Sequence, residues 1–117
     1  MNSSESLKII RDILPISQEQ LASILHVSPS TVDRWINTKT GPSKADQKER
    51  LARLREIVEL GIKVYTPEGL QKYLSTPLSE FRYQTAYKLI QSDDFDSVMS
   101  ALQRMIMPRH RNYLRKP

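Results

Sequence analysis

The stretch Gln18–Asn37, QEQLASILHVSPSTVDRWIN, limits what this chain can fold into more than any other. Leu21, Ala22 and Leu25 recur at the spacing of one buried helix face, and Val32, Trp35 and Ile36 do the same in the next segment. Between them lies His26-Val27-Ser28-Pro29. Ser28 is a natural N-cap, because its hydroxyl can accept from an orphan amide of the following turn. Pro29 suits the first helical position, where no amide hydrogen is needed. The small Ala22 lets a second helix approach closely. Two short helices over about 18–26 and 29–38, joined by a tight turn, are therefore expected.

This is the sequence form of a helix-turn-helix, whose second helix enters the DNA major groove. LASILHVSPSTVDRW resembles the Xre/Cro type, with Gln18 opening the first motif helix and Trp35 anchoring the second. The family usually has Gly where this chain has His26. That position often takes a positive φ, which Gly adopts freely and His only at some cost. The exposed face of the second helix offers Ser28, Ser30, Thr31, Arg34 and Asn37, with Asp33 beside them. Arg can pair bidentately with guanine, and Asn with adenine. Gln18 suits a phosphate or a base edge, and Lys39, Thr40 and Lys44 suit phosphate. One copy reads only a short half-site, so a homodimer on double-stranded operator DNA is expected. The plain alternative is the solvated face of a small helix.

Composition narrows the class. Only 3 of 117 residues are Gly and alternating β-branched runs are few, which favours an all-α fold. A hydrophobic content of 38% and a charged content of 26% are those of a soluble globular protein. No apolar run reaches membrane-spanning length, so no membrane partner is expected. MNSSESLKII does not read as a signal peptide, which makes a cytoplasmic location the default. With no Cys, disulfides and thiolate metal sites are excluded. The net charge is +5, but residues 1–60 carry nine Lys/Arg against eight Asp/Glu, while residues 61–117 carry nine against five. The helix-turn-helix half is thus nearly neutral, and the basic excess belongs to the tail.

Around the motif, Glu5–Leu14 reads as a first helix, capped by Ser3 or Ser4 and ended by Pro15. Ser17 caps the next helix, with Gln20 completing a capping box. Ser43 is expected to cap a long fourth helix, Lys44–Leu60, with Gly61 just past its end. Its stripe of Leu51, Leu54, Ile57 and Val58 should pack on the first helix or on a second subunit. Ile62–Tyr65 is the one plausible extended piece. Thr66-Pro67-Glu68 starts another helix with Leu70, Tyr73 and Leu74 inward. Residues 78–84 are irregular, a short helix starts near Thr85, and Ser92-Asp93-Asp94 breaks and caps. Phe95, Val98, Met99, Leu102, Met105 and Ile106 then form a helical stripe that Pro108 should close. A basic, frayed tail follows. The division expected is a helix-turn-helix domain over 1–61 and a small helical C-terminal lobe over 62–117.

Residues 65–105 resemble the toxin-binding domain of Xre/MbcA/ParS antitoxins. Tyr73-Leu74-Ser75-Thr76-Pro77 matches an aromatic-Leu-x-Thr-Pro block, and Thr85-Ala86-Tyr87-Lys88-Leu89 matches a Thr-Pro-x-x-Leu block. Tyr73 replaces the usual Trp, Arg82-Tyr83 the usual Gly pair, and Ala86 the usual Pro. The resemblance implies a type II antitoxin that blocks a partner toxin, commonly a RES-class enzyme consuming NAD, and represses its own operon. Its toxin-facing candidates are Tyr73, Arg82, Tyr83 and Tyr87, with Arg109, Arg111, Tyr113 and Leu114 from the tail. In that family the C-terminal end lies near the toxin's active site, so the tail is a candidate plug. A DNA-contacting arm and a plain solvated end are the other readings of it.

Nothing in the sequence points to catalysis. There is no Gly-rich phosphate loop, no Ser/His/Asp grouping and no isolated carboxylate pair, so no enzyme activity, cofactor or metal is expected. Asp93, Asp94 and Asp96 lack the Gly turn and distal Glu of a calcium loop. The chief alternative function is a stand-alone Xre-family regulator whose C-terminal lobe only dimerises. A third reading makes both halves protein-binding modules.

Overall fold

The computed structural model describes residues 3–115, with side chains described through residue 106. Among these residues the fold is all-α. Its helices are α1 (Ser3–Ile13), α2 (Gln18–Leu25), α3 (Pro29–Thr38), α4 (Ala45–Gly61), α5 (Pro67–Ser75), α6 (Ala86–Gln91) and α7 (Phe95–Arg115), with a 3₁₀ turn at Ser79–Phe81. None is long and apolar enough to cross a membrane.

Local chemistry sets most of the helix starts. The Ser17, Ser28, Thr66 and Thr85 hydroxyls accept from the amides of Gln20, Thr31, Gly69 and Lys88 at 3.0, 3.2, 3.1 and 3.0 Å. Asp94 caps α7, accepting from the Ser97 amide at 3.1 Å. Pro29 and Pro67 each occupy a first-turn position.

Five local expectations are corrected. Ser3 and Ser4 lie inside α1 instead of capping it. Ser43 caps nothing: Lys44 holds the N-cap of α4 without a side-chain bond, one residue later than expected. Residues 62–65 are not extended, because the Val64 and Tyr65 amides both turn back to the Gly61 carbonyl at 3.0 and 2.8 Å. Gly61 itself is the last helical residue and is buried, not a left-handed residue beyond the end. A Cβ there would run into the buried Leu70 side chain, so glycine allows α5 to close against α4. Finally, Pro108 does not close α7, whose backbone continues to Arg115 instead of fraying. Proline lacks one amide and crowds the carbonyl four residues back, a local penalty that a helix interior can absorb by kinking.

One apolar cluster runs through both halves. It joins Leu7, Leu14, Leu21, Ile24, Val32 and Trp35 to Leu54 and Val58 of α4, and onward to Leu70, Leu74, Ile90, Val98 and Leu102. The α4 stripe packs on α1 and also on α7. In the same way α2 packs on both α3 and α6. Full burial of each such aliphatic side chain contributes about 1.5–3 kcal/mol, which makes these shared helices the main link between the halves.

Candidate functional site

On α3, Ser28, Ser30, Arg34, Asn37 and Lys39 are exposed, and Thr31 is half-buried. They are not equally available. The Ser28 hydroxyl serves as the helix cap and lies 3.1 and 2.9 Å from the Ser30 and Thr31 hydroxyls. Asn37 donates from Nδ2 to Asp33 Oδ2 at 3.3 Å, which leaves its Oδ1 facing outward. The Arg34 guanidinium has no partner among the described residues and can present its full donor fork. Lys39 ends α3 in the left-handed region, φ 56°. With Lys8 and Arg11 it edges a cleft of about 570 Å³ between α1 and the end of α3.

Gln18 is half-buried and faces inward as well as out. Its Nε2 donates to the Pro29 carbonyl at 3.1 Å, tying the start of α2 to the start of α3. Arg11 NH1 donates to its Oε1 at 3.5 Å. Sequence reasoning missed Arg11, since nothing in the spacing shows that the last turn of α1 meets the first turn of α2.

The turn between the two motif helices depends on His26. Its φ of 61° and ψ of 41° are left-handed, so the position does take the conformation for which the resembling family uses Gly. The Val27 amide bonds to the Ala22 carbonyl at 3.0 Å and the His26 amide to Ser23 at 3.2 Å, closing the end of α2. The ring then reaches out of the motif. Nε2 donates to the Gln91 carbonyl at the end of α6, at 2.9 Å.

In the C-terminal lobe the tyrosines divide sharply. Tyr73 is 8% exposed and stacks on Tyr65, with ring centroids 5.2 Å apart. Its hydroxyl is buried without a partner among the described residues. Burial, helped by Glu80 and Tyr65 and opposed by Arg104, pushes its pKa up to about 12. Tyr87 is also buried, donates to Gln71 Oε1, and has its pKa raised by burial. Both rings are core, so any part they take in partner binding runs through the shape they hold. Tyr83, by contrast, is 75% exposed. Arg82 and Tyr83 are consecutive left-handed residues, φ 56° and 64°. Their side chains have no partner among the described residues. The side chains of Arg109, Arg111, Tyr113 and Leu114 lie outside the described residues. Among the described residues no group of three or more His, Asp or Glu could hold a metal.

This arrangement defines a helix-turn-helix protein with a helical lobe packed on it. Residues 2–56 match the antitoxin Xre-like helix-turn-helix domain. The helix-turn-helix half of the chain is thus similar to that domain, just under half of the chain's length. It is 28% identical over 104 residues, 87% of its own length and 88% of the relative's, to a probable mycobacterial cidal antitoxin of Mycobacterium tuberculosis (strain ATCC 25618 / H37Rv). It shares its fold with a chain of the crystal structure of the M. tuberculosis MbcT–MbcA toxin–antitoxin complex. There the TM-score is 0.75 at 17% identity, covering 87% of this chain and 91% of that one.

Proposed function

We propose that this protein is a cytoplasmic type II antitoxin that binds and blocks a RES-class toxin and represses its own operon as a homodimer on operator DNA. The carrying observation is the pairing of an antitoxin-type helix-turn-helix with near full-length similarity to an antitoxin. The division of labour falls near residue 61. Residues 1–61 read DNA, and residues 62–117 hold the toxin and the dimer partner.

On the DNA side, Arg34 is the base reader, with Asn37 and Ser30 beside it. Lys39 and Gln18 meet phosphate. Ser28 and Thr31 fix the start of the reading helix, as their hydroxyl contacts support. On the toxin side, Arg82 and Tyr83 make direct contact, while Tyr73 and Tyr87 support the lobe beneath them. Arg109, Arg111, Tyr113 and Leu114 extend the contact from α7 into the toxin's active-site mouth. Both jobs are steric and require no reaction. The test has two arms. The product of the neighbouring gene should be toxic alone and harmless with this protein. The protein should also retard its own promoter fragment in a salt-dependent way. Loss of the first arm with retention of the second leaves a stand-alone regulator.

A further inference from the structure

The turn of the helix-turn-helix is held from outside the helix-turn-helix domain. We infer that the end of α6, fixed by Arg50 of α4, is a brace that sets the geometry of the DNA-reading turn through His26.

The first observation is backbone strain. His26 and Asp93 are both left-handed without being glycine, φ 61° and 70°. Such residues persist only where their surroundings hold them. The second is where their side chains go. His26, in the motif, donates across to the Gln91 carbonyl at 2.9 Å. Asp93, at the end of α6, accepts from Arg50 Nε and NH2 at 2.9 and 2.5 Å. Each strained residue is thus held by the opposite half of the chain. The third is a side-chain bond in parallel, from Gln91 Nε2 to the Ser23 hydroxyl one turn before His26.

The pieces act in series. Asp93 in the left-handed region ends α6: its own amide bonds to Ile90 and the next amide to Leu89, at 3.0 and 2.8 Å. Helix termination leaves the last carbonyls without intrahelical partners, and Gln91's is the one His26 takes. A carbonyl only accepts, so the imidazole carries a proton on Nε2. Arg50, with its side chain 13% exposed, holds Asp93 and through it the direction of that carbonyl. The DNA-reading geometry therefore depends on residues 91 and 93, beyond the matched domain of residues 2–56. Where the DNA reading proposed above holds, a ligand that shifts the end of α6 alters operator affinity through this brace.

The test is amide hydrogen exchange of Val27, Thr31 and Val32 in the full chain, with the Arg50→Met, Asp93→Gly and His26→Gly variants. Glycine relieves a left-handed position, so strain alone predicts slower or unchanged exchange in the two Gly variants. The brace predicts faster exchange in all three. Loss of one ordinary hydrogen bond should speed local opening about fivefold. Arg50→Met leaves both strained residues in place and removes only the bonds to Asp93, so faster exchange there reports the brace itself. Unchanged exchange in Arg50→Met, or slower exchange in His26→Gly, overturns the inference. This readout needs no DNA, so its failure is separate from failure of operator binding. With a DNA site selected from a random library, Arg50→Met should also weaken binding while the melting transition stays single. An unchanged affinity there removes the link to DNA reading.

Discussion

Two left-handed turns in this molecule look alike along the backbone and differ in what their side chains do. At His26 the ring is committed to the Gln91 carbonyl of the other half of the chain. At Arg82-Tyr83 two successive left-handed residues point outward, unpartnered among the described residues. Both depart from the glycine that such positions prefer. Each left-handed residue costs on the order of 1–3 kcal/mol. At His26 the fold offsets that cost with a bond. At Arg82-Tyr83 the described part of the chain offers no side-chain hydrogen bond, ion pair or ring contact to offset it. In the proposed function these side chains are positioned for a contact from outside, and Tyr83 is the most exposed large hydrophobic residue of the described chain.

The sharpest way to break this contrast is to put glycine at the outward turn. Arg82→Gly with Tyr83→Gly should weaken toxin binding by about 3 kcal/mol, more than 100-fold, as loss of an interface anchor does. Its thermal stability should be unchanged or higher. A lost fold would mean that the outward turn is structural after all. On the DNA side, Arg34→Ala should cost about 1–3 kcal/mol of operator affinity without moving the melting temperature, because the guanidinium has no partner among the described residues. Retained affinity would remove Arg34 from the reading face. Gly61→Ala should destabilise the fold by about 1–3 kcal/mol by chemical denaturation, since its Cβ meets buried Leu70.

The buried tyrosines give a smaller, signed effect. The unfolded chain releases the Tyr73 proton near pH 10, while the folded chain retains it until about 12. The folded state then binds more protons, so stability must fall as pH rises across that window. Below pH 10 this group contributes no pH dependence. Tyr73→Phe should flatten the fall and change stability at neutral pH by less than about 1 kcal/mol, since it deletes an unpartnered hydroxyl. Unfolding midpoints followed from pH 9 to 12 decide it.

Much of this was legible in the chain. Hydroxyl caps at 17, 28 and 66 and the 3.6-residue stripes are local, so spacing alone reveals them. The possible need for a positive φ at residue 26, and the Gly-pair position now held by Arg82-Tyr83, were readable only beside a resembling family. The ring's destination was not readable at all, because His26 and Gln91 are 65 residues apart and share no period. The stripe of α5 places Tyr73 inward in the sequence, although the resemblance makes it toxin-facing along with Tyr83 and Tyr87. Only packing separates the two buried rings from the exposed one. The continuation of α7 past Pro108 runs against the usual proline rule, so sequence favoured the wrong end.

In the proposed function the helical lobe captures a toxin through its outward left-handed turn while the helix-turn-helix remains intact. Titration calorimetry of the purified protein against the neighbouring gene's product tests it directly, with the double-glycine variant at 82 and 83 run in parallel. A tight complex is expected with the parent, and affinity reduced more than about 100-fold with a fully folded variant. No complex with the parent, or equal affinity for the variant, would contradict it.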